Sequence, residues 1–237
     1  MGSEAALSAT DIFSGFEILG YVVPGAVIIS GLLLNYGPLD SLGKIGSYQT
    51  SIGPAAILFY AGLLISAYAL GQISSALSGY LIEKMIVVRL WGNPNDNLFA
   101  PVAKRTHLFQ AYAAPYSKEF VEEFTAVFQA RYGSRFGSRD RFLICLHDIK
   151  EKMPIAYTRL DRFIRHYEFA RNLAMALWLL GVALLFKAAT DLSWVSLGIA
   201  LFAIAGAFAL LPRYLAFFRR YSDEVFRSFF VLHKNTQ

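Results

Sequence analysis

The segment 131–141 reads RYGSRFGSRDR and sets four arginines, Arg131, Arg135, Arg139 and Arg141, within eleven residues. Guanidinium groups this close repel one another, and each is a planar fork suited to bidentate capture of phosphate. Gly133 and Gly137 free the backbone to aim successive N–H groups at an anion. Ser138 stands at an expected helix start, where unpaired N–H groups and the helix dipole favour negative charge. Tyr132 and Phe136 supply ring faces on which bases stack. Downstream, Arg159, Arg162 and Arg165 in TRLDRFIRH extend the basic set, and Lys104 and Arg105 add to it. These residue types fit a nucleotide or single-stranded oligonucleotide, anionic lipid headgroups, or a solvated Gly/Ser/Arg connection without a ligand.

Covalent chemistry has no comparable constellation. The sequence contains no P-loop, no dinucleotide glycine fingerprint and no HExxH. His107, His147, His166 and His233 are never at metal-ligand spacing, and Cys145 has no partner cysteine. In FLICLHDI that cysteine reads as a small buried thiol, and a single cysteine fits a reducing compartment. Glu119, Glu122 and Glu123 read as a solvated helix face. The expectation is a protein that is not an enzyme and that uses no cofactor or metal.

The chain that positions these arginines is mainly apolar. Of its 237 residues 56% are hydrophobic and only 16% charged, against about 25% charged in soluble domains. Asp, Glu, Lys, Arg and His are absent between Glu17 and Asp40, Lys44 and Glu83, Arg171 and Lys187, and Asp191 and Arg213. About 20 apolar residues cross a bilayer, so the gaps predict four transmembrane helices at 18–35, 54–82, 172–186 and 192–212. The third is short, and Lys187 can snorkel from its end to the headgroups. Residues 1–17 carry Glu4, Asp11 and Glu17 but no Lys or Arg, unlike a signal peptide, so the first span is expected to be retained.

Fifteen Lys and Arg residues lie in 83–171 and five in 213–237, whereas the connection 36–53 holds Lys44 alone. Positive segments stay in the cytoplasm. The expected layout is an all-α integral membrane protein with both termini cytoplasmic. It comprises an N-terminal segment 1–17, two spans in 18–82, a basic helical cytoplasmic domain 83–170, two spans in 171–212 and a basic amphipathic tail 213–237. The second helical pattern runs from Pro54 to about Trp91, roughly 55 Å and too long for the hydrocarbon core alone. A further helix opens at Pro154 and leads into the third span, leaving roughly 24 Å outside the membrane. The arginine loop at the far end of these helices is then beyond a Debye length of about 8 Å from the lipid surface. Pro24 predicts a bend in the first span.

Within the second span, Ala67, Gly71, Ser75 and Gly79 recur every four residues, with Gln72, Ser74 and Ser78 among them. Small residues at that spacing let two helix backbones approach closely, and polar ones glue helices together or face a wet pore. Either a helix seam or a pore wall fits.

Paired spans around an inserted basic helical domain, carried by RYGSRFGSRDR and TRLDRFIRH, resemble the Hailong-type transmembrane effectors of bacterial anti-phage defence. The resemblance implies a tetrameric channel of the bacterial inner membrane. It also implies a partner nucleotidyltransferase whose single-stranded DNA product binds the basic sensory domain and holds the channel shut. A membrane scaffold that recruits a protein or anionic lipid is the second reading.

Overall fold

The chain's first apolar run begins with a π-helical turn, Ile18–Val22, and continues as α1, Val23–Tyr36. In this computed structural model residues 17–36, 54–99 and 110–234 are described. The residues before 17, the connection 37–53, and Lys104, Arg105 and His107 lie outside the described residues. After α1 come α2, Pro54–Ser78, a π-helical stretch Gly79–Val87, and α3, Val88–Trp91. The short helices α4, Pro94–Asn97, and α5, Gln110–Ala113, precede α6, Lys118–Tyr132, and α7, Ser138–Lys152. Two long helices close the chain, α8 at Pro154–Asp191 and α9 at Trp194–Lys234. The described residues form helices and no strand.

Three helices are long and apolar enough to cross a membrane, at Ile57–Asn97, Pro154–Asp191 and Trp194–Lys234, and a shorter apolar helix occupies Ile18–Leu33. The chain divides into two compact units.

The apolar unit comprises residues 1–80 and 168–211. Its interior is built largely from small side chains, among them Ala67, Ala174, Ala176, Ala200, Ala203 and Ala207, around Met175, Leu180 and Leu184. Many of its other large side chains point outward: Leu58 is 74% exposed and Phe202 81%. Soluble monomers do not leave contiguous apolar faces of this kind to water, whereas lipid tails solvate them. Leu192, in the two-residue connection before α9, takes φ 51, a left-handed conformation that reverses the chain.

The basic unit comprises residues 81–167 and 212–237. Ser117 caps α6 by accepting from the Phe120 N–H at 3.3 Å. Phe120, Phe124, Val127 and Phe128 then follow helical spacing toward the core. Gly133 ends the helix at φ 84, a backbone conformation open to glycine. Helix α7 starts one residue earlier than expected: Gly137 takes the extended cap conformation, and Ser138 is the first helical residue. At its other end Met153 is held out of helix by Pro154, which opens α8. Of segment 213–237, read from the sequence as an amphipathic tail, residues 213–234 are the second half of α9, which passes through Pro212 without interruption. Tyr221, Val225, Phe226 and Phe229 bury that half against Phe124, Phe128, Cys145, Ile149 and Leu160. The rings of Phe124 and Phe226 meet edge to face at 5.6 Å, an arrangement that adds to plain burial.

Candidate functional site

Arginines at a helix N-terminus oppose the dipole. Arg139 and Arg141 nevertheless occupy the first turn of α7, with Asp140 alone between them. Arg135 and Arg139 are exposed and have no ion pair or hydrogen bond among the described residues. Arg131 closes α6, where a cation favours the dipole, and its guanidinium lies 6.0 Å from the Tyr132 ring centroid. Arg141 is drawn inward, 5.5 Å from the Phe99 ring and 5.8 Å from that of Phe128. Phe136, 37% exposed, touches Phe128 edge to face at 6.2 Å. Arg135 and Arg139 are therefore offered to an anion, while Arg141 and Phe136 also carry packing.

Beside Arg141 a cleft of about 150 Å³ is lined by Asn95, Asp96, Phe99, Ser138 and Phe226. Two aromatic walls, a guanidinium and a carboxylate suit a flat heterocycle with donors and acceptors on its edge better than a second phosphate, which Asp96 would repel.

Tyr132 faces away from the loop. Its hydroxyl donates to Asp148 Oδ2 at 2.6 Å, and that oxygen also lies 2.7 Å from His233 Nε2. Lys152 Nζ donates to Asp148 Oδ1 at 3.0 Å. Burial alone would raise the Asp148 carboxyl, but the bonds from Tyr132, Lys152 and His233 outweigh it and hold the group below the ordinary carboxylate range. Burial and then the hydrogen bond to Asp148 push the Tyr132 phenol up. Burial likewise pushes up the Cys145 thiol, whose side chain is fully enclosed, so it is inert as a nucleophile. The Asp148 cluster ties the ends of α6, α7 and α9 together. Sequence reasoning missed it, because His233 lies 85 residues from its partner.

Two of the α8 arginines read from the sequence as part of the basic set are engaged elsewhere. Arg159 Nη2 meets Glu224 Oε1 at 3.3 Å, and Arg165 Nε donates to Asp161 Oδ2 at 2.9 Å. Arg162 is exposed and has no such partner among the described residues.

In the apolar unit, the small residues of α2 form a seam. A methyl group on Gly71 would overlap the Tyr21 carbonyl, and one on Gly25 the Ala67 carbonyl. Ala67 and Gly71 are thus contact points at which the backbones of the first run and α2 nearly touch. Ser78 Oγ donates to Asn172 Oδ1 at 2.7 Å, and Ser74 Oγ to the Asn172 carbonyl at 3.0 Å. The Asn172 amide donates to the Gly20 carbonyl at 3.0 Å. Pro24, four residues after Gly20, has no N–H to offer that carbonyl, so a side chain from α8 takes the place of a helix bond. Gly79 faces the Arg171 guanidinium. Gln72 donates to the Tyr68 hydroxyl at 3.0 Å, and Gln72 and Ser75 remain half-buried.

Among the described residues no group of His, Cys, Asp and Glu is arranged to hold a metal ion. No known protein family matches the chain, and neither the curated proteins nor the solved structures yield a match.

Proposed function

We propose that this chain is a membrane channel effector whose basic unit binds a single-stranded oligonucleotide or nucleotide signal, and that several copies assemble around the pore. In this reading the three long helices and Ile18–Leu33 are the four spans, the membrane is the bacterial inner membrane, and 83–170 is cytoplasmic. The observation that carries it is the pair Arg135 and Arg139. Two unopposed guanidiniums stand at the junction of α6 and α7, in a unit connected to the apolar one through the uninterrupted helices α8 and α9. A bound polyanion relieves their repulsion through charge-assisted hydrogen bonds. It shifts a gate only by the difference in its affinity for the open and closed states. Closure by the ligand, a tetramer, and a nucleotidyltransferase that makes the ligand are carried by the resemblance to Hailong-type effectors alone.

Affinity for a single strand falls with salt by about 0.7 logarithmic units per neutralised phosphate for each decade. Arg135→Ala with Arg139→Ala is expected to reduce the slope of log affinity against log salt by about 1.4. The double variant also abolishes oligonucleotide control of ion flux in liposomes. Unchanged oligonucleotide affinity in that variant rejects the site.

A scaffold without a pore is favoured by one specific observation. Ala67, Gly71, Ser74 and Ser78 are all buried in contacts within a single chain. Absence of conductance with and without oligonucleotide selects the scaffold.

A further inference from the structure

Within the basic unit two contacts fix how α8 and α9 lie against each other. Arg159 Nη2 is 3.3 Å from Glu224 Oε1. The His166 ring stacks on Phe217 with centroids 5.1 Å apart. Both contacts obey one antiparallel register, which sets residue 162 across from residue 221. On α8, residues 159, 162 and 166 share a helix face, and on α9 residues 213, 217, 220 and 224 do the same. The register therefore brings Arg162 and Arg220 to one exposed stretch between the ion pair and the ring stack, with Arg213 further along the same row.

The acids of these stretches are already occupied. Asp161 holds Arg165, Asp223 holds Arg227, and Glu224 holds Arg159. Arg219, the other arginine at this level of α9, turns inward and donates to the Tyr112 carbonyl at 2.7 Å. Arg162, Arg213 and Arg220 are exposed and have no ion pair or hydrogen bond among the described residues. Two guanidiniums on one exposed stretch, whose neighbouring carboxylate Glu224 is already held by Arg159, are a place for a phosphate, which both can grip bidentately.

Sequence distance along each helix identifies which phosphate. Arg213 directly follows the apolar run that ends at Pro212, and Arg220 lies about 10 Å further along α9. Arg162 precedes Asn172, where the apolar run of α8 begins, by about 15 Å of helix. With the two runs in a bilayer, the arginine side chains reach back into the headgroup layer, and they act there across a Debye length of about 8 Å. We propose that Arg162 and Arg220, flanked by Arg213, bind the phosphate of an anionic phospholipid headgroup, with the His166–Phe217 stack as one wall of the site. This inference rests on the membrane reading above, and it assigns Arg162 to lipid instead of to the oligonucleotide.

The test uses the full chain in nanodiscs of phosphatidylcholine with a minor fraction of phosphatidylglycerol, and native mass spectrometry of the lipid retained on the protein. Wild type is expected to retain phosphatidylglycerol preferentially. Arg162→Gln with Arg220→Gln lowers that retention by about thirtyfold, the effect of two arginines near the surface. Arg162→Lys with Arg220→Lys restores most of it, and Arg135→Gln with Arg139→Gln leaves it unchanged. Equal retention in the wild type and the 162/220 glutamine variant overturns the proposal. So does displacement of the lipid by inorganic phosphate or by a single-stranded oligonucleotide, either of which assigns the pair to a soluble anion. Failure of the protein to float with lipid vesicles rejects the membrane reading itself, so the two failures are distinguishable.

Discussion

Asn172 spends its side chain on two other parts of the fold at once. Its carbonyl oxygen accepts from Ser78 on α2, and its amide satisfies the Gly20 carbonyl that Pro24 cannot serve. The residue is 1% exposed, so no water replaces it when it is lost. Interhelical hydrogen bonds in membranes average about 0.6 kcal/mol each, but a buried carbonyl left without a donor costs about 1–3 kcal/mol. Asn172→Leu is therefore expected to destabilise the protein by about 2 kcal/mol, most of it from the abandoned Gly20 carbonyl. Ser74→Ala removes one hydroxyl and leaves no buried group stranded, so its cost is about 0.6 kcal/mol. Thermal unfolding in detergent reads both, and a melting temperature for Asn172→Leu equal to that of wild type would contradict this role.

Between elements, the same physics fixes how closely helices approach. Gly71 sits against backbone, so Gly71→Leu is expected to separate the first run from α2 and to lower the yield of folded protein sharply. Gly62 on the same helix faces open space, and Gly62→Leu is expected to be neutral in the same expression and thermal-stability assays. In the basic unit the joint is Asp148, and its contribution depends on pH. The folded carboxyl titrates below its unfolded value of about 3.9, so the stabilisation is complete above pH 4 or so and is lost as pH falls through the folded value. Asp148→Asn is expected to cost about 3 kcal/mol at neutral pH and to flatten the acid limb of the stability curve. An unchanged acid limb removes Asp148 as its source. Some element boundaries were legible in the sequence, because Pro154 and the Gly137–Ser138 pair act on their own neighbours: the helix expected at Pro154 opens there, and the one expected at Ser138 starts within one residue. The joints were not. Asp148 with His233, and Asn172 with Gly20, are separated by 85 and 152 residues, and nothing local marks either pair. Arg141 was legible as a cation, but only the nearby rings of Phe99 and Phe128 reveal its packing role.

At the scale of the whole molecule, the basic unit is assembled from two distant stretches of chain, 81–167 and 212–237. The charge-free run ends at Arg213 and a basic stretch follows, which is why the sequence suggested a separate tail. The helix instead continues through Pro212 and brings Tyr221, Val225, Phe226 and Phe229 into the aromatic core. Removing a single buried phenylalanine side chain costs about 3–5 kcal/mol, and a domain's entire stability is about 5–15 kcal/mol. A fragment of residues 81–167 lacks all four of those core residues and is expected to have no cooperative melt. The two stretches can be joined directly, because Tyr167 and Tyr214 lie at their ends with ring centroids 6.0 Å apart. A short Gly/Ser linker from residue 167 to residue 212 is expected to restore a cooperative transition and near-ultraviolet dichroism from the packed rings. On the proposed function the linked unit is also expected to bind a single-stranded oligonucleotide in a salt-dependent way without any membrane. A cooperative transition in the 81–167 fragment alone would show that the second half of α9 is an accessory to this core and not part of it.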